Sequence, residues 1–232
     1  MDETRAWMTK KSDGWPSGRG RELPRAGTVT MTLVLSVALA TPVAAQEYTK
    51  LSHTDEIRLA MSAGPLSVSK DADVYVLGAG GFEKAVHGTN GFSCMVIRAA
   101  ADKTILAPHC FSPDATETVL PGKLAEGELQ MRGLSQSEIE SELLKAFEDG
   151  SLPLPEGDAY AYMLSAGQHL GPAGQWRPHF MLYMPYATNE DVGGSPADPS
   201  FPFVGPEIGH PHSTMVIVMT QFVDPADVVL PR

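Results

Sequence analysis

Four histidines carry most of the chemistry open to this chain. His109, His179, His210 and His212 flank prolines or stand in stretches without regular periodicity, where side chains are free to converge. His210-Pro211-His212 is the tightest spacing. Alternate residues of an extended segment face the same way, so two imidazoles there could chelate one ion. Met215 and Met219 follow just beyond, and thioether sulfur with imidazole suits copper. A transition-metal reading therefore takes zinc or copper, held by histidines from His109, His179, His210 and His212. The plainer reading puts the histidines on loop surface and the methionines on a core strand.

Other reactive types are sparser. The chain has two cysteines, Cys94 and Cys110. In an oxidising compartment an even count reads as a disulfide, while His109 beside Cys110 keeps a Cys-His site open. Asp114, Glu117, Glu207 and Asp224 could supply an acid/base pair for hydrolysis, although spacing alone brings no two of them together. Gly78-Ala79-Gly80-Gly81 follows a strand-like run as a dinucleotide turn would, but Glu83 stands where the third glycine belongs. Ser67-Val68-Ser69-Lys70 fits the Ser-x-x-Lys pattern of penicillin-recognising enzymes, without the Ser-Asp-Asn or Lys-Thr-Gly that accompanies it.

The elements that must position these residues read as α+β, in a single domain. Capping oxygens on Ser52-His53-Thr54-Asp55 precede a short helix over 56–62 that Gly64-Pro65 stops. Strands are predicted at 73–77, 82–87 and 92–99. Asn90-Gly91 is a strong hairpin signal, so these three read as an antiparallel meander. The stretch 100–120 is less regular. A weak helix over 123–132 contains Gly127. The clearest helix follows, where Ser135 and Glu138 make a capping box and Ile139, Leu143, Leu144 and Phe147 form the apolar stripe. Strands at 160–165, 180–186 and 214–222 complete a mainly antiparallel sheet with two or three helices. Between them, from Pro185 to Pro211, six prolines and four glycines make a long loop of the kind used as a lid or binding surface. His109 and His179 are both placed at margins of one sheet, and are expected near each other.

Before all of this, a basic flank (Arg19, Arg21, Arg25) leads into a short apolar run over 28–40 and then Pro42-Val43-Ala44-Ala45-Gln46. Small residues at −3 and −1 make this a secretory signal with cleavage after Ala45; the alternative is a retained N-terminal anchor. Met8 and Met31 are alternative starts. The expected division is a leader over 1–45 and one domain over 46–232, with no stable membrane span after cleavage. The whole chain carries 17 basic and 28 acidic residues, net −11, and residues 46–232 carry 11 and 24. That acidic balance disfavours nucleic acid and anionic lipid as partners.

Gly88-Thr89-Asn90-Gly91-Phe92-Ser93-Cys94, Pro108-His109-Cys110-Phe111, Tyr162-Met163-Leu164-Ser165 and Pro178 through Tyr186 together resemble a family of uncharacterised exported bacterial proteins. The resemblance implies an exported single domain and transfers no catalytic residue or cofactor. The leading expectation is an exported, disulfide-stabilised binding or envelope-associated module, periplasmic or extracellular, with its ligand or protein partner unnamed. The competing expectation is a His-ligated, metal-dependent enzyme, most plausibly a hydrolase.

Overall fold

A computed structural model describes residues 47–205 and 207–230; the expected secretory signal and its expected cleavage site lie outside them. One eight-stranded sheet organises the described residues. In chain order the strands are β1 (Asp73–Gly78), β2 (Gly81–Val86), β3 (Ser93–Ile97), β4 (Ala107–Phe111), β5 (Tyr160–Met163), β6 (His179–Tyr183), β7 (Phe203–Val204) and β8 (Thr214–Val218). Their order across the sheet is β2-β1-β3-β4-β5-β6-β8-β7. Only β1 and β3 pair in parallel; every other neighbour is antiparallel. The α+β class holds.

Six helices accompany the sheet: α1 (His53–Met61), α2 (Leu66–Ser69), α3 (Pro113–Thr118), α4 (Leu120–Met131), α5 (Gln136–Glu148) and α6 (Asn189–Val192). That is more than the two or three expected, because short segments read as loop close into single turns. Helix α1 lays Ile57, Ala60 and Met61 on Val74, Val76, Cys94, Val96 and Cys110. At about 1.5–3 kcal/mol for each large apolar side chain removed from water, this stripe holds α1 against one face of the sheet. On the other face Ala115, Val119 and Leu120 of α3 and α4 pack with Met95, Phe111, Met163 and Met181. Helix α5 has the capping box read from its sequence: Glu138 N–H donates to Ser135 Oγ at 3.4 Å, and Ser135 N–H to Glu138 Oε2 at 2.8 Å.

The three-strand meander is corrected. Strand β3 does not follow β2 as a hairpin but crosses to the far edge of β1, with Asp73 beside Ser93 and Tyr75 beside Met95. Asn90-Gly91 still turns, with Gly91 at φ 80°, but it turns around the start of β1. Asn90 Nδ2 donates to the Val68 carbonyl at 2.7 Å and Thr89 N–H to that of Asp71 at 2.8 Å. Gly88 lies against the Ala72 and Asp73 backbone, where a Cβ would overlap. Asn90-Gly91 bends the chain without making the expected hairpin, and the tertiary contacts decide which edge the chain joins.

Two further readings change. The stretch 100–120 contains β4 and α3, and Cys110 lies on a regular strand. Pro108 is tolerated because the β4–β5 ladder is confined to Cys110 and Phe111. Gly127, read as a weakness, lets α4 approach the sheet, since a Cβ there would come within 2.5 Å of Phe82 Cδ2. The long loop is also not wholly irregular, because α6 and β7 fall within it.

Candidate functional site

Cys94 and Cys110 sit directly opposite each other on β3 and β4 and form a disulfide, with Cα atoms 4.0 Å apart and both residues fully buried. The bridge faces α1. His109, one residue earlier on β4, therefore faces the opposite way, toward α3 and α4. This settles the cysteines as a cross-strand brace.

The histidines divide into two pairs. His109 is paired with Met95, and the β4–β5 register carries on to set it opposite Met163, which is itself paired with His179. The row across the sheet is therefore Met95, His109, Met163, His179. Each imidazole donates its Nδ1 proton to the carbonyl two residues back, His109 to Ala107 at 2.9 Å and His179 to Arg177 at 2.8 Å. That bond fixes the neutral tautomer with the lone pair on Nε2. Burial pushes His109 down to about 3, with the Lys123 ammonium and His179 adding to the fall and the Ala107 hydrogen bond opposing it. Burial lowers His179 as well. Trp176 packs on His179 with ring centroids 4.9 Å apart.

His210 and His212 lie on the segment 207–213 that leads into β8. His212 is buried, with its ring edge-on to Phe147 at 4.7 Å and near Tyr183 at 5.9 Å. Its backbone N–H donates to His210 Nδ1 at 3.1 Å. His210 Nδ1 is thereby taken up as an acceptor, and the two ring centroids lie 6.2 Å apart. Met215 pairs with Leu182 and Val204, on the opposite sheet face from the Tyr183 side that His212 meets, and Met219 is exposed. Among the described residues, no group of three or more His, Cys, Asp or Glu is arranged to hold a metal ion.

The segment carrying His210 and His212 instead walls a cleft of about 420 Å³. Its floor is α4, through Gly122, Lys123 and Glu126. One wall is the α5 stripe Ile139, Leu143, Leu144 and Phe147, and the other is Glu207, Ile208, His210 and His212. Gly122 is required here, since a Cβ would meet His212 Cε1 at 2.9 Å. Lys123 Nζ bonds Glu126 Oε2 at 3.1 Å, one helical turn on, with both side chains mostly buried. Burial works against the ammonium, but Glu126 and Glu207 outweigh it and hold Lys123 above the usual lysine range. Burial pushes Tyr183 up. Burial, then the Lys123 charge, takes His212 down to about 2. The cleft thus contains a buried cation, carboxylates and an imidazole whose protonation burial disfavours. His212 Nε2 is buried without a partner among the described residues.

Sequence reasoning found His210 and His212 but missed Lys123 and Glu126. Their i,i+3 spacing on a helix was a readable signal, obscured because such pairs are common on solvated faces. The other candidate residues separate. Asp114 accepts the Asp158 N–H at 2.8 Å, and Asp224 caps the last turn by accepting Ala226 N–H at 2.8 Å. Lys70 pairs with its neighbour Asp71 at 2.9 Å on the surface. The glycine run is the β1–β2 turn and leads into no helix. No described helix is long and apolar enough to cross a membrane. Compared with known proteins, the chain matches no family model, no curated protein and no solved structure.

Proposed function

We propose that this chain is an exported, disulfide-braced binding domain whose ligand lies in the cleft between α5 and residues 207–212. One observation carries the reading. The Lys123–Glu126 pair joins two residues of the same helix and ties no second element to the fold, yet it sits mostly buried on the floor of the cleft. Burying charge costs several kcal/mol per ion, roughly, unless something compensates, so a pair whose own bonds stay within one helix is more readily explained by what it meets. The apolar segment over 28–40 and the oxidised Cys94–Cys110 bridge support export.

The test is fragment screening by NMR on the domain over 46–232. Binders should perturb Lys123, Leu143, Phe147 and His212 together, and Leu143→Lys, which puts a charge on the apolar wall, should abolish those perturbations. Shifts scattered over the surface, or unchanged in the variant, would remove the cleft from consideration.

A second reading has one specific observation in its favour. His109 and His179 both lock Nδ1 to a backbone carbonyl, which puts the lone pair on Nε2, with Met163 between them. A soft transition metal, copper rather than zinc, suits that donor set, and a metal-dependent hydrolase would be its enzymatic form. Metal analysis of untagged protein from its native compartment tests it. Copper approaching one equivalent per chain, lost in His109→Gln and retained in His210→Gln, supports this row; metal lost only in His210→Gln rules it out.

A further inference from the structure

We infer that the α5 cleft selects a small amphipathic cation, a primary ammonium carried on an apolar body. This rests on the cleft being the ligand site and adds the chemical class. Its charged lining comprises Lys123 against Glu126, Glu140 and Glu207, so the acids exceed the cation by two. Lys123 is already engaged by Glu126 at 3.1 Å, and Glu207 acts on it as well. The deep cation is therefore neutralised within the protein, while the rim carboxylates of Glu140 and Glu207 remain exposed. An incoming anion would meet those carboxylates first; an ammonium would be drawn between them.

The rest of the lining fits the same ligand. Ile139, Leu143, Leu144 and Phe147 present one apolar wall, and Ile208 faces it from the opposite side with about half its surface exposed. A hydrocarbon or aromatic body of a few carbons fits within about 420 Å³. His212, buried beside the α4 floor with Nε2 unpartnered among the described residues, is a polar group whose protonation burial disfavours. A neutral imidazole there adds no second cation to repel an ammonium, whereas a protonated one would. The arrangement is that of an amine site, with apolar walls to hold the body and carboxylates at the mouth to choose the sign.

Three near-isosteric probes separate the possibilities: phenethylamine, hydrocinnamate and phenethyl alcohol, titrated calorimetrically into the domain over 46–232 at neutral pH and low salt. Phenethylamine should bind roughly tenfold more tightly than either of the others, the scale expected of a charge-assisted contact. Glu207→Gln and Glu140→Gln should each reduce that preference several-fold, and the double variant should abolish it while leaving the weak affinity for phenethyl alcohol intact. Added salt should shrink the preference. Hydrocinnamate or the alcohol binding as tightly as the amine, in a manner lost in Leu143→Lys, would overturn the cation class and leave the cleft standing as a ligand site. Failure of all three probes to bind would overturn both.

Discussion

Two ion pairs lie on opposite faces of the sheet, and they do different work. Arg98 Nη2 bonds Glu56 Oε1 at 3.1 Å, with side chains 1% and 7% exposed. Glu56 also accepts Leu77 N–H at 3.1 Å, Arg98 Nη1 donates to the Val96 carbonyl at 2.8 Å, and Gln130 Nε2 reaches the Arg98 carbonyl at 2.9 Å. That pair ties α1, β1, the end of β3 and α4 together. Lys123–Glu126 has the same 3.1 Å separation but spans one turn of α4, with side chains 15% and 13% exposed. Both border hollows, of about 600 Å³ beside Arg98 and about 420 Å³ beside Lys123. The Arg98 pair is bonded to backbone from several elements, whereas the Lys123 pair is bonded within α4, where Gln130 Nε2 also donates to Glu126 Oε1 at 3.3 Å. Equal distance therefore says little about purpose, and the partners beyond the pair say more.

The largest expected effect tests this contrast directly. Glu56→Ala leaves Arg98 buried without its counter-ion and Leu77 N–H without its acceptor, and should cost about 3–5 kcal/mol of unfolding free energy. Glu126→Ala leaves the mostly buried Lys123 with Glu207 still near it and a cleft beside it, and should cost less, about 1–2 kcal/mol. Urea unfolding of the two variants measures both. Equal losses would erase the distinction between a joining pair and a site pair.

Next in size is the disulfide. It lies on the α1 face with the Arg98–Glu56 latch, on the opposite side of the sheet from the cleft. With its ends 16 positions apart in sequence, replacing both cysteines by alanine should cost roughly 3 kcal/mol in the loop-entropy account. The cleft should still bind its probe with unchanged affinity when measured well below the new melting temperature. A proportional loss of binding would show that the two faces are not separable.

How much of this was legible in the sequence depends on the range of the interaction that fixes each element. Helix α5 was readable in full, because Ser135, Glu138 and the Ile139–Phe147 stripe act within a few residues of one another. The Cys94–Cys110 pairing was readable too, since two cysteines in an oxidised chain have one partner each. The place of β3 was not, because Asn90-Gly91 specifies a turn and says nothing about the Val68 and Asp71 carbonyls that steer the chain past β1. The site was half legible. His212 stood out by its spacing, but its neighbours Lys123, Phe147 and Tyr183 come from a helix, a second helix and a strand, and only the packed sheet brings them together.

Acid should separate the two regions by a smaller margin. His109 and His212 are held well below the ordinary histidine range, at about 3 and about 2, chiefly by burial. Unfolded, each takes up a proton near pH 6.5 that the folded protein refuses. Their contribution is therefore complete above about pH 6.5 and is lost as pH falls through the window toward their folded values. Each adds a slope of about 1.4 kcal/mol per pH unit within that window. His212→Gln should flatten the dependence by one proton between pH 6 and pH 4, as read from denaturant unfolding at a series of pH values. An unchanged slope would mean that His212 is protonated in the folded state.

The smallest effect makes the sharpest comparison. Replacing both partners of a buried ion pair by apolar residues of similar volume is often neutral, because the desolvation cost disappears with the attraction. Lys123→Met with Glu126→Leu removes charges that bond chiefly to each other, so stability should stay within about 1 kcal/mol of the parent. The same exchange at Arg98→Met with Glu56→Leu strands the Leu77 N–H and the Val96 carbonyl, each an unsatisfied buried group costing about 1–3 kcal/mol. Both double variants keep the net charge, which removes long-range electrostatics from the comparison. If the Lys123–Glu126 exchange proves neutral for folding yet alters the affinity for phenethylamine, the pair is there for the cleft. If it destabilises as much as the Arg98–Glu56 exchange, the pair belongs to the architecture, and the cleft loses the observation on which its functional reading stands.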